Sequence, residues 1–236
     1  MNIAILTAAG SGTRMHQDIP KQFLHVDNKP IIAYTMQAFQ DHPSIDAIVV
    51  VTLEAWTEVL YAYAKQFNIS KLSVVVKGGS TGQESIHNGL LAIKEKYGED
   101  HTVIVHDGNR PLVSTEIISD ALATFKQYGS AVAAIPCVEA MFTSGDGVTA
   151  VDEVPREKAF RTQTPHVYTV KKLLWAHEEA GKRAITNTAA SCTLMYKLGE
   201  EVFFSRGSEE NFKITTTDDL TIFKAMLKTR KEEWIK

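Results

Sequence analysis

The chain has 236 residues, 44% hydrophobic and 22% charged, ordinary globular values that leave no case for disorder or a fibrous class. That length suits one α/β domain with a large core and leaves little room for a second. A formal net charge of −3 gives no general attraction to nucleic acid or to an anionic membrane, so a polyanionic ligand needs a local basic cluster. Cys137 and Cys192 lie far apart without CxxC spacing, which argues against a disulfide scaffold or a zinc site and for a reducing cytoplasm. The N-terminus reads directly as a strand without a basic n-region. No apolar run approaches the roughly 18 residues of a membrane span, so neither secretion nor membrane insertion is expected.

The first predicted strand, Asn2 to Leu6, runs into Ala8-Ala9-Gly10-Ser11-Gly12-Thr13-Arg14-Met15 and then Pro20-Lys21-Gln22-Phe23. Glycine lets backbone approach an anion closely, and successive free N–H groups in a turn make a concave donor surface for phosphate oxygens. Arg14 adds a planar fork and Lys21 a compact charge. The loop therefore reads as a polyphosphate cradle. A P-loop would need Lys and then Ser or Thr after its last glycine, and a dinucleotide fingerprint would need Gly or Ala where Met15 stands.

Further β-branched runs follow at Ala47 to Val51, Leu72 to Val76, Thr102 to Val105 and Ala131 to Ile135, and they read as buried parallel strands. Helical periodicity fills the gaps at Pro30 to Phe39, Ala55 to Phe67, Thr81 to Tyr97 and Thr115 to Tyr128. The alternation predicts a doubly wound, mostly parallel, Rossmann-like α/β sheet whose ligands bind beyond the carboxyl ends of its strands. The Gly10 loop and the turn His106-Asp107-Gly108-Asn109-Arg110-Pro111 both fall at such ends.

From Cys137 to Val167 the alternation breaks. Ser144-Gly145-Asp146-Gly147 signals a turn, and the segment reads as an excursion from the sheet, a β-hairpin arm at 137–160. Such an arm is too small to be stable alone and is expected to pack on a second subunit through Val148, Ala150 and Val151. Helices are predicted at Thr169 to Ala180 and Thr188 to Tyr196, and a strand at Glu201 to Ser205. A last helix is expected near Thr217, with Thr217 as its N-cap. The basic C-terminus, Lys224 to Lys236, reads as a solvated helical tail.

Together the loop, Pro20-Lys21-Gln22, Gly78-Gly79 with Ser85, His106-Asp107-x-x-Arg110-Pro111, Gln163-Thr164-Pro165 and Asn211-Phe212-Lys213-Ile214-Thr215 resemble one family over nearly the whole chain. It is the cytidylyltransferase family that makes CDP-activated polyols. Its members include the methylerythritol phosphate enzyme of isoprenoid synthesis and the ribitol phosphate enzyme of wall polymer (teichoic acid) synthesis. The resemblance implies a Mg²⁺-dependent transfer of CMP from CTP to a polyol phosphate, with no metal ligand assigned. It implies that Ala8, Ala9, Gly10, Ser11, Gly12 and Thr13 bind the nucleotide. It also implies that Arg14, Lys21 and Lys213 stabilise the phosphates in the transition state, and that Gly79, Ser80 and Ser85 read cytosine. The resemblance further implies that Asp107, Arg110, Thr164 and an arm arginine matching Arg156 handle the polyol phosphate, and that the arm pairs two subunits in a homodimer.

The chain departs from the family's pattern twice. Ala140 stands where the first arm strand usually carries threonine. The aspartate that usually opens the late helix is absent from Thr186-Asn187-Thr188-Ala189-Ala190-Ser191, with Asn187 or Ala190 in its place. Ribitol 5-phosphate is the expected acceptor, on Phe23 and on the absence of arginine from Gly82-Gln83-Glu84-Ser85. The alternatives are 2-C-methyl-D-erythritol 4-phosphate and a catalytically impaired nucleotide-binding or regulatory homologue. His16, His106 and His166 lack metal-ligand spacing and are expected to be structural. Ser191 and Cys192 are expected in the core, since no nucleophile-elbow glycines flank the serine.

Overall fold

A computed structural model describes residues 1–10 and 19–231. In chain order the strands are β1 (Asn2–Ala8), β2 (His25–Val26), β3 (Lys29–Pro30), β4 (Ala47–Thr52), β5 (Leu72–Lys77), β6 (Thr102–Asp107), β7 (Ala131–Pro136), β8 (Met141–Phe142), β9 (Glu153–Val154), β10 (Phe160–Thr169) and β11 (Phe204–Arg206). The helices are α1 (Ile31–Asp41), α2 (Thr57–Gln66), α3 (Gly82–Tyr97), α4 (Thr115–Tyr128), α5 (Val170–Lys182), α6 (Ser191–Lys197) and α7 (Thr217–Lys231). The main sheet has the order β11-β7-β10-β6-β1-β4-β5, and every pairing in it is parallel except those of β10 with β6 and β7.

Strand pleat explains the two layers of helices, because successive side chains point to opposite faces. Ala4, Leu6 and Ala8 of β1 join Met36 and Phe39 of α1, Leu60 of α2 and Ile118 of α4. Ile3 and Ile5 join Leu90 and Ile93 of α3, Leu173 of α5 and Met195 of α6. Both faces are covered, so the central strands are continuous apolar runs, as in Ala47–Thr52, where every residue is buried. A third, smaller cluster of Val26, Ile31, Leu112, Ile214 and Phe223 seats α7 beside the carboxyl end of the sheet.

The expected strands and crossover helices are present with small shifts of their ends. Three readings need correction. The sequence predicts no strand directly after the arm, yet 160–169 return as β10 into the middle of the main sheet. Arg161, Thr162, Gln163, Thr164 and Pro165 hide that strand from apolar periodicity, and its pairing with β7 is interrupted between Thr162 and His166. The late helix starts at Ser191, not at Thr188. The α7 cap is Thr216, not Thr217: its Oγ1 accepts the Asp219 N–H at 3.2 Å, while the Asp219 carboxylate accepts the N–H groups of Thr215 and Thr216.

The arm segment holds a short hairpin in which Met141 pairs with Val154 and Phe142 with Glu153. The Asp146 carboxylate closes its tip by accepting the N–H groups of Val148 and Thr149, each at 2.8 Å. Among the described residues, no helix is long and apolar enough to cross a membrane.

Candidate active site

The carboxyl ends of β1 and β6, the loops after them, the turn before α3 and the segments around 163, 190 and 213 enclose a cleft of about 730 Å³. It brings together Ala8, Ala9, Gly10, Lys21, Gly79, Ser80, Ser85, Asp107, Arg110, Thr164 and Lys213. Ser11, Gly12, Thr13 and Arg14 lie outside the described residues, as do His16 and residues 232–236 of the tail. Arg156 is not in the cleft. It is exposed at the base of the hairpin and lines a small separate pocket with Cys137 and Phe160.

At the loop end, the buried Gln22 side chain donates to the carbonyls of Ala8 (2.5 Å) and Gly10 (3.0 Å). Two carbonyls at the mouth of the loop are thereby tied back, a task that no spacing in the sequence assigns to Gln22. Across the cleft, Gly78 packs so closely on Ala9 that a side chain at position 78 would strike its Cβ. Ser85 accepts the Gly79 N–H at 3.1 Å and donates its own proton to the Thr81 carbonyl at 2.8 Å. Its hydroxyl has only a lone pair left to offer. Glu84 fixes Ser80 by accepting from both its N–H and its hydroxyl.

At the far end, Asp107 closes β6 and holds two cations: Arg110 Nε at 2.9 Å from Oδ2 and Lys213 Nζ at 2.8 Å from Oδ1. Burial pushes the Asp107 carboxyl up, but the charges of Lys213 and Arg110 outweigh it and hold the group below the usual carboxylate range. Its backbone N–H donates to Thr164 Oγ1 at 3.0 Å. The segment carrying Lys213 is pinned from several sides. Arg110 Nη1 donates to the Asn211 carbonyl at 2.6 Å, Asn211 Nδ2 to the Thr164 carbonyl at 2.8 Å, and Asn109 Nδ2 to the Ile214 carbonyl at 2.5 Å. Asn109 and Asn211 sit in the quoted motifs, but no spacing rule shows that their side chains reach partners 105 and 47 positions away.

The wall between these ends carries Thr188, Ala189, Ala190 and Ser191. The Gln83 side chain accepts from the N–H (2.9 Å) and hydroxyl (3.0 Å) of Thr188. Asn187 is exposed with a φ of 51°, so of the two candidates for the missing aspartate only Ala190 faces the cleft. His106 and His166 are buried, and desolvation holds them at about 3 and about 4, neutral at physiological pH. Cys137 and Cys192 are buried and unpaired, and burial pushes the Cys192 thiol up. Ser191 is buried too, yet its residue also lines the cleft, which the core reading did not anticipate.

A doubly wound sheet with a strand-end loop, two lysines and an ion-paired carboxylate around one open cleft has the layout of a nucleotidyltransferase. A family model described as 2-C-methyl-D-erythritol 4-phosphate cytidylyltransferase matches residues 2–229. The chain is 40% identical over 232 residues to a ribitol-5-phosphate cytidylyltransferase of Lacticaseibacillus paracasei, covering 98% of this chain and 99% of that protein. It is 36% identical over 226 residues to a 2-C-methyl-D-erythritol 4-phosphate cytidylyltransferase of Clostridium botulinum, covering 96% and 97%. Its fold matches the crystal structure of 4-diphosphocytidyl-2C-methyl-D-erythritol synthase from Anaerococcus prevotii with a TM-score of 0.81 at 22% identity, over 96% of each chain. The chain belongs to this cytidylyltransferase family and is a CTP-dependent enzyme; the family implies CTP and a polyol phosphate as its substrates.

Proposed function

We propose that the enzyme transfers CMP from CTP to D-ribitol 5-phosphate, giving CDP-ribitol and pyrophosphate. The observation that carries the acceptor is the set of relatives 37–40% identical over nearly the whole chain whose names specify ribitol 5-phosphate. The cleft wall where the family resemblance expects a carboxylate offers neutral Thr188, Ala190 and Ser191 instead. The second reading, 2-C-methyl-D-erythritol 4-phosphate, is favoured by the family model and by the relatives at 35–36% identity.

The chemistry needs no general base. A phosphomonoester has a second pKa of about 6 and is already an oxyanion at neutral pH. One of its oxygens forms a bond to the α-phosphorus of CTP while the bond from that phosphorus to the bridging oxygen breaks, and pyrophosphate leaves. The protein aligns the partners and neutralises charge on the phosphoryl oxygens. We assign Lys21 and Lys213, with Arg14, to that charge, and Ala8 to Thr13 to the triphosphate. Among the described residues no cluster of three or more His, Cys, Asp or Glu could hold a resident metal. Mg²⁺ fits as part of the substrate, carried by the triphosphate oxygens and water, where it supplies further neutralisation.

Gly79, Ser80 and Ser85 are assigned to the base. Because Ser85 has already donated its proton, it can accept from the amino group of cytosine but cannot donate to the corresponding carbonyl of uracil. Asp107, Arg110 and Thr164 are assigned to the acceptor, joined by Arg156 of a partner subunit in a homodimer. Exposed Val148 and Val151 on the hairpin support that pairing.

Pyrophosphate release with CTP and Mg²⁺, measured across a panel of polyol phosphates, tests the assignment. Ribitol 5-phosphate should give the highest kcat/KM, and CTP should exceed UTP by at least tenfold. A higher kcat/KM with 2-C-methyl-D-erythritol 4-phosphate replaces the acceptor, and equal use of UTP removes the role given to Ser85.

A further inference from the structure

Next to the ion pairs of the cleft lies a histidine that the transfer chemistry does not use. His106 is completely buried at the end of β6, against the ring of Phe39 at 5.1 Å between centroids. Its Nε2 lies 3.2 Å from the backbone carbonyl oxygen of Arg110. A carbonyl only accepts, so Nε2 must carry the ring proton. Burial keeps the ring neutral, helped by the electrostatics of Arg110 and His166 and opposed by the charge of Asp107, which leaves Nδ1 a bare acceptor.

The Thr164 hydroxyl lies 3.1 Å from that Nδ1 and also receives the Asp107 N–H at 3.0 Å. It must therefore donate its single proton to His106, and it spends one lone pair on Asp107. One lone pair remains, and Thr164 lines the cleft. We propose that His106 is a positioning residue that commits the Thr164 hydroxyl to accepting, so this point of the cleft takes a hydroxyl donor from the acceptor's polyol chain and rejects a carbonyl or phosphoryl oxygen. The proposal rests on the assignment of this end of the cleft to the acceptor.

The geometry separates the acceptor's two halves. Its phosphate is repelled from Thr164 and belongs with the cations, while a hydroxyl is drawn to an acceptor that has no proton to give. An analogue with a ketone in place of the hydroxyl that meets Thr164 leaves lone pair facing lone pair, a mismatch that costs more than a missing contact. The Nε2 bond to Arg110 also steadies the turn between Asp107 and Arg110, so a test must separate this scaffolding from the orientation of Thr164.

Three variants and one spectrum do so. His106→Leu removes both ring bonds, whereas His106→Asn keeps an oxygen near the place of Nδ1 and loses the bond to Arg110. His106→Leu should raise KM for ribitol 5-phosphate about tenfold with KM for CTP within about twofold, and His106→Asn should recover most of that loss. In a Thr164→Val background, His106→Leu should add less than about twofold, because the hydroxyl it orients is gone. In the unaltered enzyme, ¹⁵N shifts of His106 should report the Nε2–H form from pH 5 to 8, a measurement that no folding defect can confuse.

An Nδ1–H form overturns the proposal. So does a loss shared equally by His106→Asn and His106→Leu, or one that persists undiminished in the Thr164→Val background. If Thr164→Val leaves KM for the acceptor unchanged, the acceptor assignment itself falls. If Thr164→Val raises that KM and His106→Leu does not, the assignment stands and the role of His106 is refuted.

Discussion

Around Asp107 the chain satisfies its charges internally, whereas the β8–β9 hairpin leaves its apolar side chains bare. Asp107 has each oxygen in an ion pair, and the segment bearing Lys213 is tied down through Asn109, Arg110 and Asn211. On the hairpin, Phe142, Val151 and Val148 are 59, 67 and 90% exposed, and Arg156 points to a pocket of its own. One region is preorganised within a single chain, as electrostatic catalysis requires. The other pairs only two residues with two and exposes apolar surface of the kind that marks an interaction site. The contrast separates what one copy can do from what two copies would do together.

Removing a phosphate-binding charge from the cleft should give the largest effect. Lys21→Ala is expected to lower kcat/KM by about 10²–10³-fold while thermal unfolding stays within a few degrees, since the side chain lines the cleft and not the core. Steady-state kinetics beside a melting curve checks both halves. A variant that keeps its turnover removes Lys21 from the phosphate site.

Breaking the hairpin should act through assembly. Val148→Asp with Val151→Asp places carboxylates where a partner is expected, and buried unpaired charges are strongly disfavoured. Light scattering should then report a monomer with little activity, whereas the unaltered enzyme should be a dimer. Stability of the chain itself should change by less than about 0.5 kcal/mol per site, because these side chains touch little within it.

Acid should weaken the preorganised region first. His106 at about 3 and His166 at about 4 are held down by burial, below the ordinary value of about 6.5. Between these values the unfolded chain takes up protons that the folded chain refuses. Their stabilisation is complete above about pH 6.5 and is lost as pH falls toward about 4 for His166 and about 3 for His106, at up to about 1.4 kcal/mol per pH unit for each histidine. Asp107 behaves differently: its lowered folded value leaves its contribution in place above the ordinary carboxylate range, lost only as pH falls through that folded value. Urea unfolding at pH 7, 6 and 5 should show the histidine slope, and His106→Asn should remove one share of it. The smallest effect is expected at the helix that flanks Lys213. Thr216→Ala removes the α7 cap and should cost about 1 kcal/mol without altering kcat.

The sequence and the two regions differ in legibility as well. Buried parallel strands such as Ala47–Thr52 announce themselves because both faces are apolar. β10 does not, because cleft-lining Thr162, Gln163 and Thr164 interrupt its pattern at the place where it builds the site. The motifs put Asp107, Arg110 and Lys213 into one site through resemblance. No local rule shows that Lys213 meets a carboxylate 106 positions away, or that Gln22 and Gln83 brace the cleft walls. In the hairpin, the turn at Ser144-Gly145-Asp146-Gly147 was readable because its residue types favour turns, and its exposed apolar side chains followed from the lack of anything nearby to cover them.

Two copies are proposed to complete one site, the first supplying Lys21 and the second Arg156. Mixing Lys21→Ala enzyme with Arg156→Ala enzyme, each inactive alone, measures this directly once subunit exchange has been demonstrated with differently tagged chains. Every mixed dimer carries one intact composite site of its two, so CDP-ribitol formation should recover to about a quarter of the unaltered rate if exchange is statistical. No recovery after demonstrated exchange, or an unaltered enzyme that is fully active as a monomer, would contradict it.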